Sequence, residues 1–472
     1  MSTMARPSWI PVISRTGGPL YTEITSAIVG AVRSGRLLPG DRLPPHRHMA
    51  RALSVDLTTV TRAYAGAQKL GLLEATTGRG TFVRADLAPV TDRLSAPSVI
   101  DMTMNVPPQP DAGLLHGQSL PRLLQDGLTR LLRHPDAASV LAYRWGSMAY
   151  DECAAGAAWM RPCHEVADHR AVLVCPGTQS TLTTLLTMFA QRGDAVLCER
   201  MAYSGLRALA QHLGLRLVGV ETDEQGMVPA ALDAALHREH PKIVYCNPTI
   251  HNPTTATMGL GRRQEIAGIL RRSDAVLVED DAYGLLLEEP LPSISSMLQE
   301  RAYYLVTMSK TLSPSLRMAY VAAPSVEAAQ EVGTALRATA LMGSGLLSAL
   351  VARWITGGEA EAMLRAVRQE TQTRQRIAAE ILPPGLAVAN PSGHHVWMTI
   401  RSSWTAIEFV AVAKDKGLAL VPAPQFQTDG APEQSVRIAL GSAPDHATLR
   451  QALRAICAIH ASPTSLAYAQ VV

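Results

Sequence analysis

The stretch TMSKTLSPSLRMAY, residues 307–320, lies directly after the apolar run YYLV and leads into a second apolar run, YVAA. Short apolar runs between polar segments are typical of buried strands. Lys310 therefore lies just past the end of a predicted strand, and Arg317 completes an SK(x)6R pattern. An isolated lysine is usually a solvated surface charge. A lysine in this pattern, directly after an apolar strand, instead predicts a functional site.

Short apolar runs alternate with helix-length segments on both sides of this stretch. They are AVLVC (171–175), AVLCE (195–199), RLVGVE (216–221), KIVYC (242–246), AVLVED (275–280), YYLVTMS (303–309) and AYVAA (319–323). Strands separated by helices predict an α/β domain with a largely parallel sheet covered on both faces. Farther along, HHVWMTI, LALVPA and SVRIAL surround a helix near 405–416 and predict a smaller C-terminal α+β subdomain. We assign the large domain to residues 114–324 and the subdomain to residues 325–462.

Residues 15–86 have a different pattern, in which three predicted helices alternate with turns and end in a hairpin. Apolar residues recur at helical spacing from Leu20 to Val32, and PGD at 39–41 marks a turn. Glycines at the tip of ATTGRGTFV predict the hairpin. Residues 87–113 are rich in Pro, Ser and Asp with little periodicity, which predicts a linker. Its stretch VIDMTMNV is apolar enough to dock on the domain that follows.

Length and composition indicate a soluble protein of two or three domains, since the 472 residues are 47% apolar and 18% charged. No apolar run reaches the ~18 residues that span a bilayer. The N-terminus lacks an apolar segment ending in a cleavage site. The six cysteines show neither CxxC pairing nor disulfide-like clustering. We therefore expect reduced thiols, no membrane partner and a cytoplasmic location.

Positive charge is concentrated at the N-terminus. Residues 1–86 hold eleven Lys/Arg and five acids, a net charge of +6, whereas the whole chain carries +3. A basic head on a slightly acidic body favours a polyanionic partner such as nucleic acid. A basic face that is merely solvated would produce the same charge balance.

The block GRLLPGDRLPPHRHMARALSVDLTTVTRAY, followed by LGLLEATTGRGTFV, resembles the GntR-type winged helix-turn-helix, an α+β fold. The resemblance implies a double-stranded DNA operator as partner, with the second helix of the motif in the major groove. The candidates for reading bases are Thr58, Thr59 and Thr61. The candidates for phosphate contacts are Arg47, Arg51 and Arg62. The wing would approach the minor groove with Arg79 and Gly80.

One residue departs from the GntR pattern. Leu57 follows Asp56 at the position where the family usually has an arginine. The missing charge removes one expected phosphate or base contact, so we expect operator affinity or choice to differ. A winged helix used for protein contacts is the alternative interpretation of this domain.

From about residue 120 to 460, several motifs resemble, in chain order, those of fold-type I aminotransferases. The resemblance implies pyridoxal 5'-phosphate (PLP) as cofactor, held as a Schiff base on Lys310, because an imine can be exchanged for a substrate's amine. Side chains that would bind the phosphate are Thr307, Ser309 and Arg317. In CPGTQSTL a strand runs into a helix, whose first amides would face the same phosphate. These amides belong to Gly177, Thr178 and Gln179.

The resemblance also implies contacts to the cofactor ring. In AVLVEDDAYG, Asp280 would pair with the ring nitrogen and keep it protonated, which makes the ring an electron sink. The Asp-x-x-Tyr spacing favours Asp280 over its neighbour Asp281. Tyr283 and Asn252 would hydrogen-bond the ring hydroxyl. Tyr203 would stack on the ring, although a single tyrosine is more often a packing residue.

Four further positions complete the comparison with the aminotransferases. Thr255 replaces the glycine usual in the loop CNPTIHNPTTATM, which raises the question of the turn geometry there. Tyr143 would reach the phosphate of a partner subunit, as in related dimers. Arg437 would clamp the carboxylate of an amino-acid ligand, or else be a structural arginine of the sheet. His394 and His395 do not form a metal-binding motif with other residues, so we expect them to be structural and expect no metal site.

The order of winged helix, linker and aminotransferase-like domain resembles the MocR/GabR type of transcription regulator. The resemblance implies a homodimer that senses an amino compound or a vitamer of the cofactor through aldimine chemistry at Lys310. The main alternative is a working aminotransferase with an appended DNA-binding domain, because the predicted site is chemically complete. Partial transaminase activity in a regulator lies between the two. A cofactor domain reduced to an empty dimerisation scaffold is the third hypothesis.

Overall fold

The computed structural model describes residues 9–13, 19–38, 40–76, 80–84, 99–110, 115, 119–135, 137–144, 149–298, 300–400, 404–430 and 432–462. The chain divides into two units, Met1–Ser98 and Val99–Val472. Within the described ranges, no helix has the length and apolar character needed to cross a membrane.

The first unit is a three-helix domain with a two-stranded antiparallel hairpin. Its elements are α1 (Leu20–Arg33), α2 (His46–Leu53), α3 (Leu57–Lys69), β1 (Leu73–Thr76) and β2 (Gly80–Val83). Ile24, Met49 and Val60, one from each helix, meet in a common core. Tyr64 is also buried there, and its hydroxyl donates to the carbonyl of Pro44 at 2.8 Å, which ties α3 to the start of α2. The predicted winged helix-turn-helix fold is confirmed.

The second unit contains the remaining elements. Its strands are β3 (Ile100–Asp101), β4 (Val172–Cys175), β5 (Ala195–Glu199), β6 (Arg216–Val220), β7 (Thr222–Asp223), β8 (Gly226–Met227), β9 (Ile243–Cys246), β10 (Val276–Asp280), β11 (Ala302–Thr307), β12 (Ala319–Ala322), β13 (Ala387–Ala389), β14 (His395–Thr399), β15 (Leu418–Ala419), β16 (Val421–Pro422) and β17 (Ser435–Ala439). Its α-helices are α4 (Leu120–Leu132), α5 (Tyr150–Met160), α6 (Thr178–Phe189), α7 (Ser204–Leu213), α8 (Pro229–Glu239), α9 (Leu260–Leu270), α10 (Ser295–Leu298), α11 (Met308–Thr311), α12 (Val326–Ala340), α13 (Gly345–Gly357), α14 (Glu359–Ile381), α15 (Ala406–Asp415) and α16 (His446–Ala461).

A seven-stranded sheet with the order β4-β12-β11-β10-β9-β5-β6 forms the centre of this unit. Strand β12 is antiparallel to both its neighbours, and the other pairs are parallel. Most of its strand residues are buried, because helices cover both faces of a parallel sheet. The carboxyl ends of β10 and β11 lie side by side, and they deliver Asp280 and Thr307 to the same edge of the sheet.

The predicted boundary at residue 325 is too early. The apolar face of α12 packs on the large sheet, where Leu336 shares a core with Leu182 and Val321. Helix α13 likewise buries Trp354 with Val306 of β11. These helices belong with the large domain because their apolar faces have their packing partners there.

The end of the predicted linker is ordered structure of the second unit. Residues 99–106, which we call the strap, begin with β3, and this strand pairs in parallel with β15. Met102 is fully buried in the small subdomain's core beside Phe409 and Val436. The carbonyl of Val106 lies against Gly441, where a Cβ would clash. The linker prediction therefore extends too far, because the apolar VIDMTMNV segment is buried.

Candidate functional site

Lys310 lies one turn past the end of β11. The Thr307 hydroxyl accepts a hydrogen bond from the amide of Ser309 at 3.2 Å and so begins the short helix α11. The Lys310 ammonium donates to the backbone carbonyl of Asn105. Burial, aided by the nearby charge of Arg437, lowers the pKa of the amine to about 8, although Asp280 opposes this. An amine with this pKa is unprotonated in about a tenth of the molecules at pH 7, far more than for an ordinary lysine.

Asp280 is 5% exposed, and its two carboxylate oxygens have different surroundings. Oδ2 accepts a hydrogen bond from the Tyr245 hydroxyl at 2.8 Å, whereas Oδ1 is buried and has no partner in the described part of the chain. Burial raises the pKa of this carboxyl to about 6, and the charge of Asp281 raises it further, against the Tyr245 hydrogen bond. Tyr245, on β9, was missed by sequence reasoning because nothing in KIVYC distinguishes it from a packing residue.

Asp281 follows Asp280 but serves a different contact. It is fully buried, and its Oδ2 accepts a hydrogen bond from the Tyr304 hydroxyl at 2.9 Å. Asp280, by contrast, acts electrostatically on Lys310. Successive residues of a strand point to opposite sides, which separates the two carboxylates. The geometry therefore supports Asp280 as the carboxylate of the site.

Tyr283 is buried, and its hydroxyl oxygen accepts a hydrogen bond from the side-chain amide of Asn105 at 2.8 Å. Burial raises the pKa of this hydroxyl. Asn105 belongs to the strap and was missed by sequence reasoning. The available signal was the apolar docking motif VIDMTMNV, whose last polar residue is Asn105.

Arg437 lies on β17 and is 6% exposed. Its Nη1 donates to Asn252 Oδ1 at 2.7 Å, and its Nη2 donates to the carbonyl of Thr103 in the strap. Its Nε is buried and lacks a hydrogen-bond partner among the residues described. The guanidinium also lies 5.0 Å from the centre of the Phe426 ring. A buried guanidinium with a spare donor suits an incoming carboxylate.

In the loop that contains Asn252, Thr255 adopts the left-handed backbone conformation that glycine would favour. Thr255 has φ of 66°, and its amide donates to the carbonyl of His251 at 2.7 Å. The turn is therefore formed in spite of the Thr-for-Gly departure, at a conformational cost of about 1 kcal/mol. Asn252 is held by its own amide, which donates to Asn247 Oδ1 at 2.9 Å.

Four of the residues predicted to bind the phosphate, Gly177, Thr178, Gln179 and Arg317, lie at the amino end of α6. Gly177 precedes this helix with φ of 95°, and Thr178 and Gln179 are the first residues of the helix. A Cβ on Gly177 would make only an ordinary contact, 3.4 Å from Nη2 of Arg317, so the positive φ rather than lack of space favours glycine here. The Gln179 amide donates to the carbonyl of Gly205 at 3.0 Å. The Tyr203 hydroxyl lies 3.4 Å from Gln179 Oε1.

These surroundings fit PLP. The free Oδ1 of Asp280 can accept from a protonated ring nitrogen, Lys310 supplies the amine, and the α6 amides with Arg317 suit a phosphate. When bound, the cofactor would supply an aldehyde and an electron-withdrawing ring. The described residues contain no group of three or more His, Cys, Asp or Glu side chains placed to hold a metal ion.

The remaining predicted residues of the second unit lie in two places. Tyr143 is 62% exposed, in the segment after the 3-10 helix Ala137–Leu141. His394 and His395 are buried beside the site, and burial lowers the pKa of each ring. His394 Nε2 lies 2.8 Å from the carbonyl oxygen of Lys310, so this ring supports the backbone of the lysine.

In the first unit, the start of α3 presents threonines on the surface. Thr58 and Thr61 are exposed and Thr59 is half-buried. The Thr61 hydroxyl donates to the carbonyl of Leu57 at 2.9 Å. The three arginines predicted to contact phosphates are also exposed, namely Arg47, Arg51 and Arg62. Leu57, at the first position of α3, is 44% exposed.

The wing is described only in part. Arg79 lies outside the described residues, and Gly80 begins β2 with φ of 118°. A Cβ on Gly80 would lie 2.9 Å from Nε of Arg42, so this arginine packs against the start of the strand. Arg42 was missed by sequence reasoning, because its proximity to the wing depends on the bridge between Arg42 and Phe82.

Comparison with known families agrees with this architecture. The model of aminotransferase class I and II matches residues 131–456, and that of bacterial regulatory proteins of the gntR family matches residues 20–83. The chain therefore belongs to the aminotransferase class I and II family and carries a gntR-family helix-turn-helix domain at its N-terminus.

Relatives share this combination over nearly the whole length. The uncharacterized HTH-type transcriptional regulator YdeF of Bacillus subtilis is 28% identical, with 92% of each chain covered. The vitamin B6 salvage pathway transcriptional repressor PtsJ of Salmonella typhimurium is 27% identical over 91% of this chain and 96% of PtsJ. Among solved structures, LysN, an α-aminoadipate aminotransferase of Thermus thermophilus, covers 77% of this chain and 92% of its own with a TM-score of 0.68 and 24% identity.

Proposed function

We propose that this protein is a transcription regulator that binds operator DNA through its N-terminal domain and senses an amino compound, or a vitamer of the cofactor, at PLP held on Lys310. One observation carries the proposal: a gntR-family domain with exposed threonines and arginines precedes a site whose buried aspartate, lysine and arginine suit PLP and an amino compound. A DNA-reading domain has no evident use in a metabolic enzyme, which favours regulation over turnover.

The residues of the site have distinct parts in this function. Lys310 would hold the cofactor covalently until the amine of the signal replaces the amine of the lysine. Asp280 would hold a proton on the ring nitrogen, and Arg437 would bind a carboxylate of the signal. Arg437 now donates to Asn252 Oδ1 and to the Thr103 carbonyl. One of these hydrogen bonds would have to break so that its donor can bind the carboxylate. A ligand that prefers one arrangement of these groups shifts the population toward it, which is sufficient for regulation.

The proposal includes a homodimer in the cytoplasm. Among the described residues between 132 and 150, four large apolar or aromatic side chains are at least half exposed, and exposed side chains of this kind favour a subunit interface. They are Leu132, Leu141, Tyr143 and Tyr150. In such a dimer Tyr143 would reach the partner's phosphate, as predicted. The absence of disulfide-like cysteine spacing in the sequence supports a reducing compartment.

An aminotransferase with an appended DNA-binding domain is the second candidate. The complete set of cofactor-binding groups and the family to which the chain belongs favour it. The two candidates differ in turnover: an enzyme converts many equivalents of amino donor to keto acid, whereas a sensor stops after binding or one half-reaction.

The test uses the full chain loaded with PLP and a DNA fragment from upstream of its own gene. Lys310→Ala should lose the visible absorption of the bound cofactor and the response of DNA affinity to amino compounds, but keep its basal affinity within about twofold. Lys414→Ala, an exposed lysine on α15, is the matched control and should retain both properties.

Two outcomes would contradict the proposal. Loss of basal DNA binding in Lys310→Ala would mean that DNA binding and ligand sensing do not belong to separate units, as the proposal requires. Steady keto-acid formation over many turnovers, with DNA affinity indifferent to the amino donor, would favour the enzyme.

A further inference from the structure

Asn105 links the strap to three groups of the site. It is 5% exposed, and its side-chain Nδ2 lies 2.8 Å from the Tyr283 hydroxyl oxygen and 2.9 Å from His395 Nδ1. Its backbone carbonyl accepts from the Lys310 amine. A single buried residue therefore contacts the lysine, the tyrosine and a histidine, although it is remote from all three along the chain.

The direction of these hydrogen bonds follows from counting protons. Burial keeps the His395 ring neutral by lowering its pKa, so the ring carries one proton. Nε2 lies 3.3 Å from the carbonyl oxygen of His251, which can only accept, so the proton belongs on Nε2. His395 Nδ1 is then an acceptor, and the donor to it must be the amide nitrogen of Asn105. The reverse amide orientation would place two acceptors 2.9 Å apart.

The positions of the protons also determine whether the Tyr283 hydroxyl donates or accepts. The second amide hydrogen of Asn105 goes to the Tyr283 oxygen, which therefore accepts at 2.8 Å. The tyrosine's own proton cannot lie on that contact and is directed elsewhere. We propose that Asn105 is a positioning residue that turns the Tyr283 hydroxyl toward the ring oxygen of the cofactor. This inference rests on the proposed function, because it needs PLP in the site.

Several charged or titratable groups surround Tyr283, and a substitution of Asn105 does not alter them. They are Asp280, Tyr203, Arg437, His394 and His395. A neutral replacement at residue 105 therefore changes hydrogen bonding at Tyr283 without changing the charge of the site. A hydroxyl that donates to the ring oxygen stabilises its ionised form, so weakening that donor should raise the pH at which the bound cofactor changes its visible absorption.

The experiment titrates the full chain, loaded with PLP, between pH 5 and 10 and follows the visible absorption. Asn105→Leu should raise the transition by about half a unit to one unit, which corresponds to the loss of one hydrogen bond. Tyr283→Phe should raise it at least as far. In the Tyr283→Phe background, Asn105→Leu should add less than about 0.2, because the group through which it acts is gone. Met104→Ala, on the same strap with Met104 60% exposed, is the control and should titrate like the unchanged chain.

Equal shifts by Asn105→Leu in both backgrounds, or no shift in either, would overturn the role of Asn105. Asn105→Asp provides a second test that does not depend on how the leucine packs. Its carboxylate would accept a hydrogen bond from the Tyr283 hydroxyl and draw that donor away from the cofactor. The transition should rise at least as far as in Tyr283→Phe, and a smaller rise would also overturn the inference. If the unchanged chain shows no visible band with PLP, the proposed function fails, and the inference fails with it.

Discussion

Replacing Asp280 with asparagine should stabilise the cofactor-free protein at alkaline pH. The carboxyl is buried, its Oδ1 has no partner among the described residues, and its pKa is raised from 3.8 to about 6. Because the folded-state pKa lies above the unfolded one, stability is lost as the pH rises from about 3.8 to above 6. A rise of about 2 in pKa corresponds to a cost of about 3 kcal/mol at pH 8, at about 1.4 kcal/mol per unit.

Asn removes this cost but introduces another. Its oxygen can still accept from Tyr245, whereas its new Nδ2 donor replaces the unpartnered Oδ1 and costs about 1 to 3 kcal/mol. The net gain at pH 8 is therefore about 1 kcal/mol. About half of the cost is already present at pH 5, so the advantage of Asp280→Asn should be about 1 to 2 kcal/mol larger at pH 8 than at pH 5.

The assay is urea unfolding of both proteins without cofactor at pH 5 and pH 8. Asp223→Asn is the control, because Arg262 lowers the pKa of Asp223 and this carboxyl is ionised throughout the window. Its effect should not change between the two pH values. An Asp280→Asn effect that is equally independent of pH would refute the reasoning about the buried carboxylate. With PLP present, the same variant should bind the cofactor more weakly, since the partner of the ring nitrogen is lost.

Three further outcomes are expected. Thr255→Gly should raise the free energy of unfolding by about 1 kcal/mol, because glycine accepts φ of 66° without strain; urea unfolding that shows a loss would mean that the buried threonine side chain contributes more. Arg437→Leu should weaken the effect of amino acids on DNA affinity about a hundredfold but spare amines without a carboxylate, and equal weakening of both would exclude a carboxylate clamp. Arg62→Ala should weaken binding to all DNA sequences alike and lower the salt dependence of affinity by about one ion in a salt titration, whereas a sequence-dependent loss would make Arg62 a base reader.

Local patterns in the sequence predicted most of the fold. The apolar runs correspond to the strands of the large sheet, because a strand buried on both faces must be apolar wherever it lies in the chain. Resemblance to aminotransferase motifs identified Lys310 of α11, Asp280 at the end of β10 and Tyr283 after it. The domain boundary at residue 325 was placed too early, because the packing of α12 on the large sheet is a contact between distant segments.

The site was less predictable where it depends on contacts between distant segments. Asn105 and Lys310 are 205 residues apart, and no local pattern indicates that they meet. Tyr245 became recognisable only when parallel pairing of β9 and β10 brought it to Asp280. Within the described residues, Oδ1 of Asp280 and Nε of Arg437 lack hydrogen-bond partners, and this too depends on how they are buried.

By itself, the sequence determined the identity and order of the chemical groups: the basic helix-turn-helix at the N-terminus, then the glycine turn, the aspartate, the lysine and the two arginines. Resemblance to the motifs of GntR-type domains and fold-type I aminotransferases assigned these groups, whereas short-range rules of helix, strand and turn formation assigned the elements that carry them. Tertiary structure alone decided that the strap closes on Lys310 and Arg437 and that Asn105 orients Tyr283. The physical reason is that hydrogen-bond direction and pKa depend on which groups are removed from water together, and packing between remote segments decides this.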